Sequence, residues 1–245
     1  MSESTSTGFL TGKRVIVVGG SAGIGLAVAQ AAAAEGAQVI IDSSNPQRVA
    51  DALRTLPAGS EGYPLDLTNE TQLPDFFAQR GAFDHLVFTA GDALHLGELA
   101  AISMATARQI FEVRYFGALA AVKFASPHLR AGGSVVLTSG GASVRPPAKD
   151  WAVYASICGA MESLTRALAL ELAPLRVNAV ANGLVKTDLW AGIPDGEAFY
   201  ASIGNRLPVG HVAEAAEVAQ TYLYLMRQTY STGQVVTVDG GGGLV

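Results

Sequence analysis

The stretch Val18-Gly19-Gly20-Ser21-Ala22-Gly23-Ile24-Gly25 has the residue types and spacing that most directly imply chemistry. It follows the β-branched run Arg14–Val18 and opens an Ala-rich, helix-forming segment, Ile24–Glu35. A helix N-terminus presents free N–H groups and partial positive charge, which suit a pyrophosphate. Gly19 permits a sharp turn, Gly23 lets the backbone approach a ligand, and Gly25 lets the helix lie close on the strand. Ser21, Ala22 and Ile24 complete the cradle, and the pattern predicts dinucleotide binding. The same residues also fit G-x-S-x-G, a nucleophile elbow with Ser21 as the nucleophile. That elbow needs earlier strands to supply an oxyanion-hole loop. Here it would follow the first strand, so we set it aside.

The elements that must position this loop recur along the chain. Short apolar runs at Gln38–Ile41, Gly62–Leu65, Asp84–Thr89, Gly133–Ser139, Leu175–Val180 and Gln234–Val238 read as strands. Helical segments are expected at Gln47–Leu56, Asn69–Arg80, Ala105–Leu129, Ala152–Ala173 and Ala213–Met226, the fourth stopped by Pro174. Alternation of this kind predicts an α/β fold with a doubly wound parallel sheet and helices on both faces. No interdomain linker interrupts it, so residues 1–245 read as one domain with a polar tail over 1–9. The irregular stretches 90–104, 140–151 and 181–212 all follow strands. In an open parallel sheet, ligands bind beyond the carboxyl ends of strands. Gly240–Gly243 is a glycine run to which the sequence assigns no purpose.

Composition narrows the function class. Of 245 residues, 49% are hydrophobic and 15% charged, enough apolar material for a large core. The formal net charge is -5 and no basic block occurs, which argues against nucleic acid and anionic membrane as partners. Cys158 is the only cysteine, so internal disulfides and cysteine zinc sites are excluded, as suits a reducing cytoplasm. MSESTSTGF lacks the basic and apolar regions of a secretory leader, and no apolar run approaches the ~20 residues of a bilayer span. His85, His95, His128 and His211 form no metal-ligand spacing. They read as surface or loop residues, and no metal is expected.

The glycine loop resembles the T-G-x-x-x-G-x-G loop of the short-chain dehydrogenase/reductase family, with Val18 in place of Thr. Further family landmarks follow in order over nearly the whole chain. Asp66-Leu67 resembles the pair that contacts adenine, and Thr89-Ala90-Gly91 resembles Asn-Ala-Gly. Ser139 and Tyr154 stand where the catalytic serine and tyrosine are expected. Arg176-Val177-Asn178-Ala179-Val180 resembles the sixth strand, and Asn182-Gly183 replaces Pro-Gly. Val185 and Thr187 fall in the segment that binds the nicotinamide amide, and Asp239-Gly240 resembles the family's ending. The resemblance implies a Rossmann-type fold, a nicotinamide cofactor and carbonyl/alcohol chemistry. It also implies a homotetramer or homodimer paired through the two long helices, whose Ala-rich faces would otherwise be buried within the monomer.

Two positions depart from the family. Tyr154-Ala155-Ser156-Ile157-Cys158 replaces Y-x-x-x-K, and Arg114 aligns with the active-site Asn. Tyrosine has a reference pKa of about 10, too high for acid–base work near neutrality. The family's lysine favours tyrosinate and bonds the cofactor ribose, whereas a neutral thiol does neither. Arg114 is therefore a candidate replacement cation. The alternatives are a structural salt bridge with Glu112 or Glu162, or plain exposure. Cys158 reads as a small apolar filler.

By comparison with the family, the acid that selects NAD would fall at Ser43. Ser43 and Ser44 would tolerate a phosphate and Arg48 could approach it, which favours NADP, with Asp42 one residue earlier leaving NAD open. The substrate is expected to be an apolar or aromatic small molecule. Residues 92–104, 140–151 and 184–206 would line its pocket, with Trp151, Leu189, Trp190, Phe199 and Tyr200 among them and 190–206 as a lid. The sequence thus predicts an NADP(H)-dependent oxidoreductase using Tyr154, Ser139 and Arg114. The alternatives are a dinucleotide-binding sensor or scaffold with little redox activity, or a diverged isomerase or lyase in the same pocket.

Overall fold

The computed structural model describes residues 8–245. Residues 1–7, most of the expected tail, lie outside the described residues. Phe9 is not tail: its N–H donates to Glu35 Oε2 at 3.2 Å, its ring packs on the core, and Leu10 is buried.

Seven strands form one parallel sheet: β1 (Arg14–Val18), β2 (Gln38–Ser43), β3 (Glu61–Pro64), β4 (Phe83–Phe88), β5 (Leu129–Gly140), β6 (Arg176–Asn182) and β9 (Val235–Val238). Their spatial order is β3-β2-β1-β4-β5-β6-β9, so the winding reverses between β1 and β4. A crevice must open there at the carboxyl ends, and dinucleotides bind at such a switch point. The central strands carry long buried runs, residues 15–18 of β1, 133–137 of β5 and the entire lengths of β4 and β6, which is why they read as continuous apolar runs.

Helices cover both faces. On one, α1 (Gly23–Ala34), α2 (Pro46–Leu53) and α8 (Ala215–Arg227) bury Val28, Ala29, Ala52, Val218 and Tyr222 against Val17, Ile41 and Val87. On the other lie α3 (Leu73–Arg80), α4 (Met104–Phe111), α5 (Gly117–Ala125) and α6 (Ala152–Glu171). They bury Phe77, Ile110, Ala121 and Met161 against Ile16, Leu86 and Val135. The alanines of α5 (Ala118, Ala120, Ala121 and Ala125) are buried within the chain, which accounts for that helix's composition without a partner subunit. No helix among the described residues is long and apolar enough to cross a membrane.

Three expectations need correction. The helix expected over 105–129 is not continuous: a π-helical turn, Glu112–Phe116, separates α4 from α5, and Leu129 already belongs to β5. The extra residue per turn falls at Arg114, and such bulges frequently mark functional sites. The stretch 181–212 is not wholly irregular, because it contains α7 (Gly196–Gly204). Its base is clamped by a two-stranded pair, β7 (Val185–Lys186) with β8 (Ala213–Glu214), and by a Lys186–Glu214 ion pair at 2.8 Å. These strands have two residues each, too few for a period-2 pattern to register. Lastly, His85 is not a surface residue. It is buried within β4, where its Nδ1 lies 2.8 Å from Ser134 Oγ.

Candidate active site and dinucleotide crevice

The glycine turn is built as a cradle that side chains would fill. Gly19 has φ +80°, and a Cβ on it would sit 2.6 Å from the Ala90 backbone. A Cβ on Gly25 would collide with the Gly19 carbonyl and Thr89 Oγ1, so helix and turn touch through glycine alone. Gly23 has φ +52°, and a Cβ there would press to 3.2 Å from the Thr187 methyl. Thr187, directly after β7, thus lies over the phosphate turn. The N-cap of α1 is Ala22, whose side chain cannot bond the first N–H groups. Those donors at Ser21, Ala22, Gly23 and Ile24 are left to a ligand, and the residues present fit a dinucleotide pyrophosphate.

The remaining cofactor candidates stand at or just beyond the carboxyl ends of the sheet strands. Ser43 closes β2, with its Oγ accepting the Asn45 N–H at 3.3 Å. Asn45 caps α2 by accepting from the N–H groups of Gln47 and Arg48, so Ser44 and the Arg48 side chain stay exposed at that helix's start. Asp66 is exposed with Oδ1 accepting from Thr68, while Leu67 is buried against Gly117. Gly183 has no room for a side chain beside Asp239, and Val185 is buried in β7. The Gly240–Gly243 run also has its explanation. Asp239 accepts the N–H groups of Gly241 and Gly243 at 2.9 and 2.8 Å, and Gly240 and Gly241, both at positive φ, lie against Val209 and Pro208 beyond α7.

The reacting end differs from expectation. Ser139 and Tyr154 both face the carboxyl end of the sheet, yet neither hydroxyl bonds the other. Ser139 Oγ donates to the Cys158 carbonyl at 3.0 Å. Tyr154 Oη accepts the His95 N–H at 2.8 Å and donates to the Ala93 carbonyl at 3.3 Å, so the β4–α4 loop sits on it. Arg114 is neither exposed nor paired with Glu112 or Glu162. Its Nη2 donates to the Asp92 carbonyl at 2.5 Å and its Nε to Asp92 Oδ1 at 3.2 Å. Glu162 bonds Ser143 and Arg166 instead. The guanidinium lies flat on Gly91, where a Cβ would meet Nη1 at 2.6 Å, so this glycine makes room for the arginine. Sequence reasoning placed Asp92 only within the 92–104 stretch expected to line the pocket and missed it as the partner of Arg114. Its acid side chain beside an Ala-Gly pair was the available signal.

The electrostatics follow from burial. Tyr154's pKa is raised above the ordinary phenol value, chiefly by burial. The His95 N–H and the Arg114 charge pull it down, and Asp92 opposes Arg114. Burial likewise pushes the Cys158 thiol up, against Arg114, which makes it a poor nucleophile. Below the site, Tyr222 Oη lies 2.8 Å from Thr138 Oγ1 and accepts Asn182 Nδ2 at 3.2 Å, tying α8 to the ends of β5 and β6. The expected pocket aromatics do converge. Ring centroids run from Tyr154 to Trp151 (5.9 Å), Trp190 (6.4 Å), Phe199 (6.2 Å) and Tyr200 (5.5 Å), leading from the phenol into α7. Leu189 stands partly exposed beside them. No cluster of potential metal ligands occurs among the described residues.

Comparison with known proteins agrees with this geometry. Residues 18–242 match the family model described as enoyl-(acyl carrier protein) reductase. The chain is 34% identical to the short-chain dehydrogenase/reductase fsr5 of Gibberella fujikuroi, with 95% of each chain covered. Among solved structures, it is similar to a small-chain dehydrogenase in complex with NADPH, with TM-score 0.83, 36% identity, and coverage of 95% of this chain and 99% of that one. It is also similar to the MalC reductase/Diels-Alderase of Malbranchea aurantiaca, with TM-score 0.88, 29% identity, and coverage of 96% and 97%. With its winding order, its glycine turn and these relatives, the chain belongs to the short-chain dehydrogenase/reductase family.

Proposed function

We propose that this chain is an NADP(H)-dependent oxidoreductase that interconverts a carbonyl and an alcohol on an apolar, aromatic-compatible small molecule. The observation that carries this reading is the convergence of an uncapped, glycine-cradled helix N-terminus with Tyr154 and Ser139 at one end of one sheet. Ser43, Ser44 and the exposed Arg48 leave room and charge for a 2′-phosphate, and a similar chain has been solved with NADPH. The bound nicotinamide supplies or accepts the hydride. Within the chain, Tyr154 holds the proton that goes to the developing alkoxide, and Ser139 donates to the same oxygen once a substrate displaces its Cys158 contact. Arg114 contributes the positive charge that the family's lysine provides elsewhere. The aromatic series from Trp151 to Tyr200 forms one wall of the substrate site, and α7 closes over it.

A second reading has its own support. Tyr154 Oη is already held by the 93–95 backbone and Ser139 Oγ by Cys158, an arrangement that suits a dinucleotide-binding sensor or scaffold with little turnover. An isomerase or lyase finds no separate support in this geometry. We further place the chain in the cytoplasm as a homotetramer or homodimer. The lone thiol suits a reducing compartment, and Met104, Phe116 and Leu119 are apolar residues exposed on α4, the π-turn and α5.

The test is a fluorescence titration with NADPH and NADH, followed by turnover on a panel of aromatic ketones and aldehydes. Saturable NADPH binding with measurable reduction supports the oxidoreductase. Binding without turnover on any carbonyl favours the sensor, and no binding of either nucleotide by folded protein overturns both.

A further inference from the structure

Asp42 ends β2 with a carboxyl group that the proposed mechanism does not use. It is 1% exposed, and its Oδ1 accepts the Gly19 N–H at 3.2 Å. Its Oδ2 is buried with no partner among the described residues. The turn lies tight against this strand end, since a Cβ on Gly20 would meet Ile41 at 2.7 Å. The carboxyl group is therefore in direct contact with the turn that would carry the pyrophosphate, one residue before the proposed 2′-phosphate site at Ser43.

No cation among the described residues balances it. The β1–α1 turn offers only a backbone N–H. On β3, Tyr63 stands beside Asp42 in register, but its hydroxyl donates to Glu61 at 2.6 Å and its ring lies under the Arg80 guanidinium. From α2, Arg48 is exposed, and Asp66 beyond β3 is exposed and bonded to Thr68. A buried carboxylate without a counter-charge is costly, so the neutral acid is favoured. Burial holds this carboxyl group at about 7, with the Gly19 N–H as the only opposing influence.

We propose that Asp42 is a positioning residue that controls the dinucleotide turn by its proton: as the neutral acid it holds Gly19 ready for phosphate, and as the carboxylate it repels the cofactor. The proposal rests on the dinucleotide-binding reading. Like charges disfavour each other's ionised forms, so a bound dinucleotide raises the Asp42 pKa above its value in the free protein. By reciprocity, ionised Asp42 weakens binding to the same degree. Affinity then falls as pH rises through about 7, by up to tenfold for each pKa unit separating free and bound protein.

The experiment is equilibrium titration of the full chain with NADH and with NADPH at pH 6, 7 and 8.5, followed by protein fluorescence. It is repeated for Asp42→Asn and Asp42→Ser, which keep an acceptor for Gly19 and cannot ionise. NADH decides the matter, because the 2′-phosphate of NADPH itself titrates near 6, about the second pKa of a phosphate monoester. We expect wild-type affinity for NADH to drop about tenfold between pH 6 and 8.5. Either variant should bind independently of pH, at the wild-type low-pH level. A flat wild-type profile overturns the proposal without any variant, as does a slope that survives in whichever variant folds. Failure of both nucleotides to bind any folded form at any pH overturns the dinucleotide reading itself.

Discussion

The guanidinium carbon of Arg114 lies 5.4 Å from the ring centroid of Tyr154, and Asp92 holds it there through both its carbonyl and its carboxylate. This is within cation–π range. The positive charge absent at Cys158 thus reappears on the neighbouring helix, at the one turn where that helix widens. Its effect is partial: burial outweighs it and Tyr154 stays above the ordinary phenol value. The neutral phenol is therefore the resident form throughout the physiological range, and the chain is better prepared to donate a proton than to take one.

A direction-dependent pH profile is expected from this. Carbonyl reduction, which needs neutral Tyr154, should be level in the Tyr154-dependent step from pH 6 to 9. Alcohol oxidation needs tyrosinate and should climb with pH without a plateau below about 10. Asp92→Asn keeps both acceptors for Arg114 but removes the opposing charge, so its oxidation limb should move to lower pH. Steady-state rates in both directions across pH check this, and an unmoved limb in Asp92→Asn would sink the electrostatic role of the pair. Arg114→Ala should lower turnover by tenfold or more. Arg114→Lys should recover only part of it, because a point charge cannot grip the Asp92 carbonyl and carboxylate together.

Cys158→Lys should strengthen whatever catalysis exists. Position 158 is four residues beyond Tyr154 on α6, hence on the same helix face, and its sulfur borders Gly140 at the end of β5. An ammonium there adds a cation to the one Arg114 supplies and moves the oxidation limb further down in pH. Rates on the best carbonyl of the panel, measured beside the wild type, give the answer. Activation means the site is otherwise ready. No change in a folded variant means that the loop seated on Tyr154, rather than the missing charge, limits turnover.

Much of this was legible in the residues, for physical reasons. Strands buried on both faces leave apolar runs, so β1, β2, β4, β5 and β6 stand out in the sequence, whereas β3, with no buried residue, gives only a weak signal and half-buried β9 shows through its β-branched residues. The glycine turn shows because only glycine fits where backbone meets backbone, as at Gly19 against Ala90 and Gly25 against Gly19. Tyr154 and Ser139 were located by their order along the chain. What stayed hidden depends on contacts between distant segments. The acid beside Ala90-Gly91 does not say which cation it will grip, and nothing local says that the 93–95 backbone will hold the tyrosine hydroxyl or that a helix pattern will widen at residue 114. The helix α7 escaped because its start follows Gly192, Pro194 and Asp195, the last in a left-handed conformation, with no capping side chain to announce it. His85 escaped because its partner Ser134 is 49 residues away on the next strand.

Gly25→Ala separates the cradle from the fold. Its methyl group would strike the Gly19 carbonyl and Thr89 Oγ1, neither of them the free end of a flexible side chain. Overpacking of this kind costs about 1–3 kcal/mol, which a chain of this size should survive folded. Because the Gly19 carbonyl belongs to the phosphate turn and Thr89 Oγ1 donates to it, nucleotide affinity should fall at least tenfold while the unfolding transition remains cooperative. Circular dichroism melts and NADPH titration on one preparation test this. Undiminished binding would remove the turn from the cofactor site.

The stability of the sheet should show two opposed proton linkages that nearly cancel. His85 is buried beside Ser134, and its pKa is depressed to about 4, mainly by burial. Between that value and the unfolded reference near 6.5, about where free imidazole titrates, the unfolded chain binds more protons at this site. His85 thus adds stability as pH rises through that window. Asp42 is raised to about 7, so between its unfolded value near 3.8 and 7 the folded chain binds more protons. Its contribution is present at low pH and lost as pH rises. Each linkage is worth roughly 3–4 kcal/mol at full extent. Asp84, held low by the Arg14 N–H, Lys13 and Arg130 against its own burial, adds a smaller loss on acidification. Urea unfolding at pH 4.5 and 6.5 should therefore show a shallow pH dependence for the wild type. His85→Asn should become less stable as pH rises across that interval, and Asp42→Asn more stable. Slopes of the same sign in both variants would show that at least one of these buried groups does not titrate as its surroundings dictate.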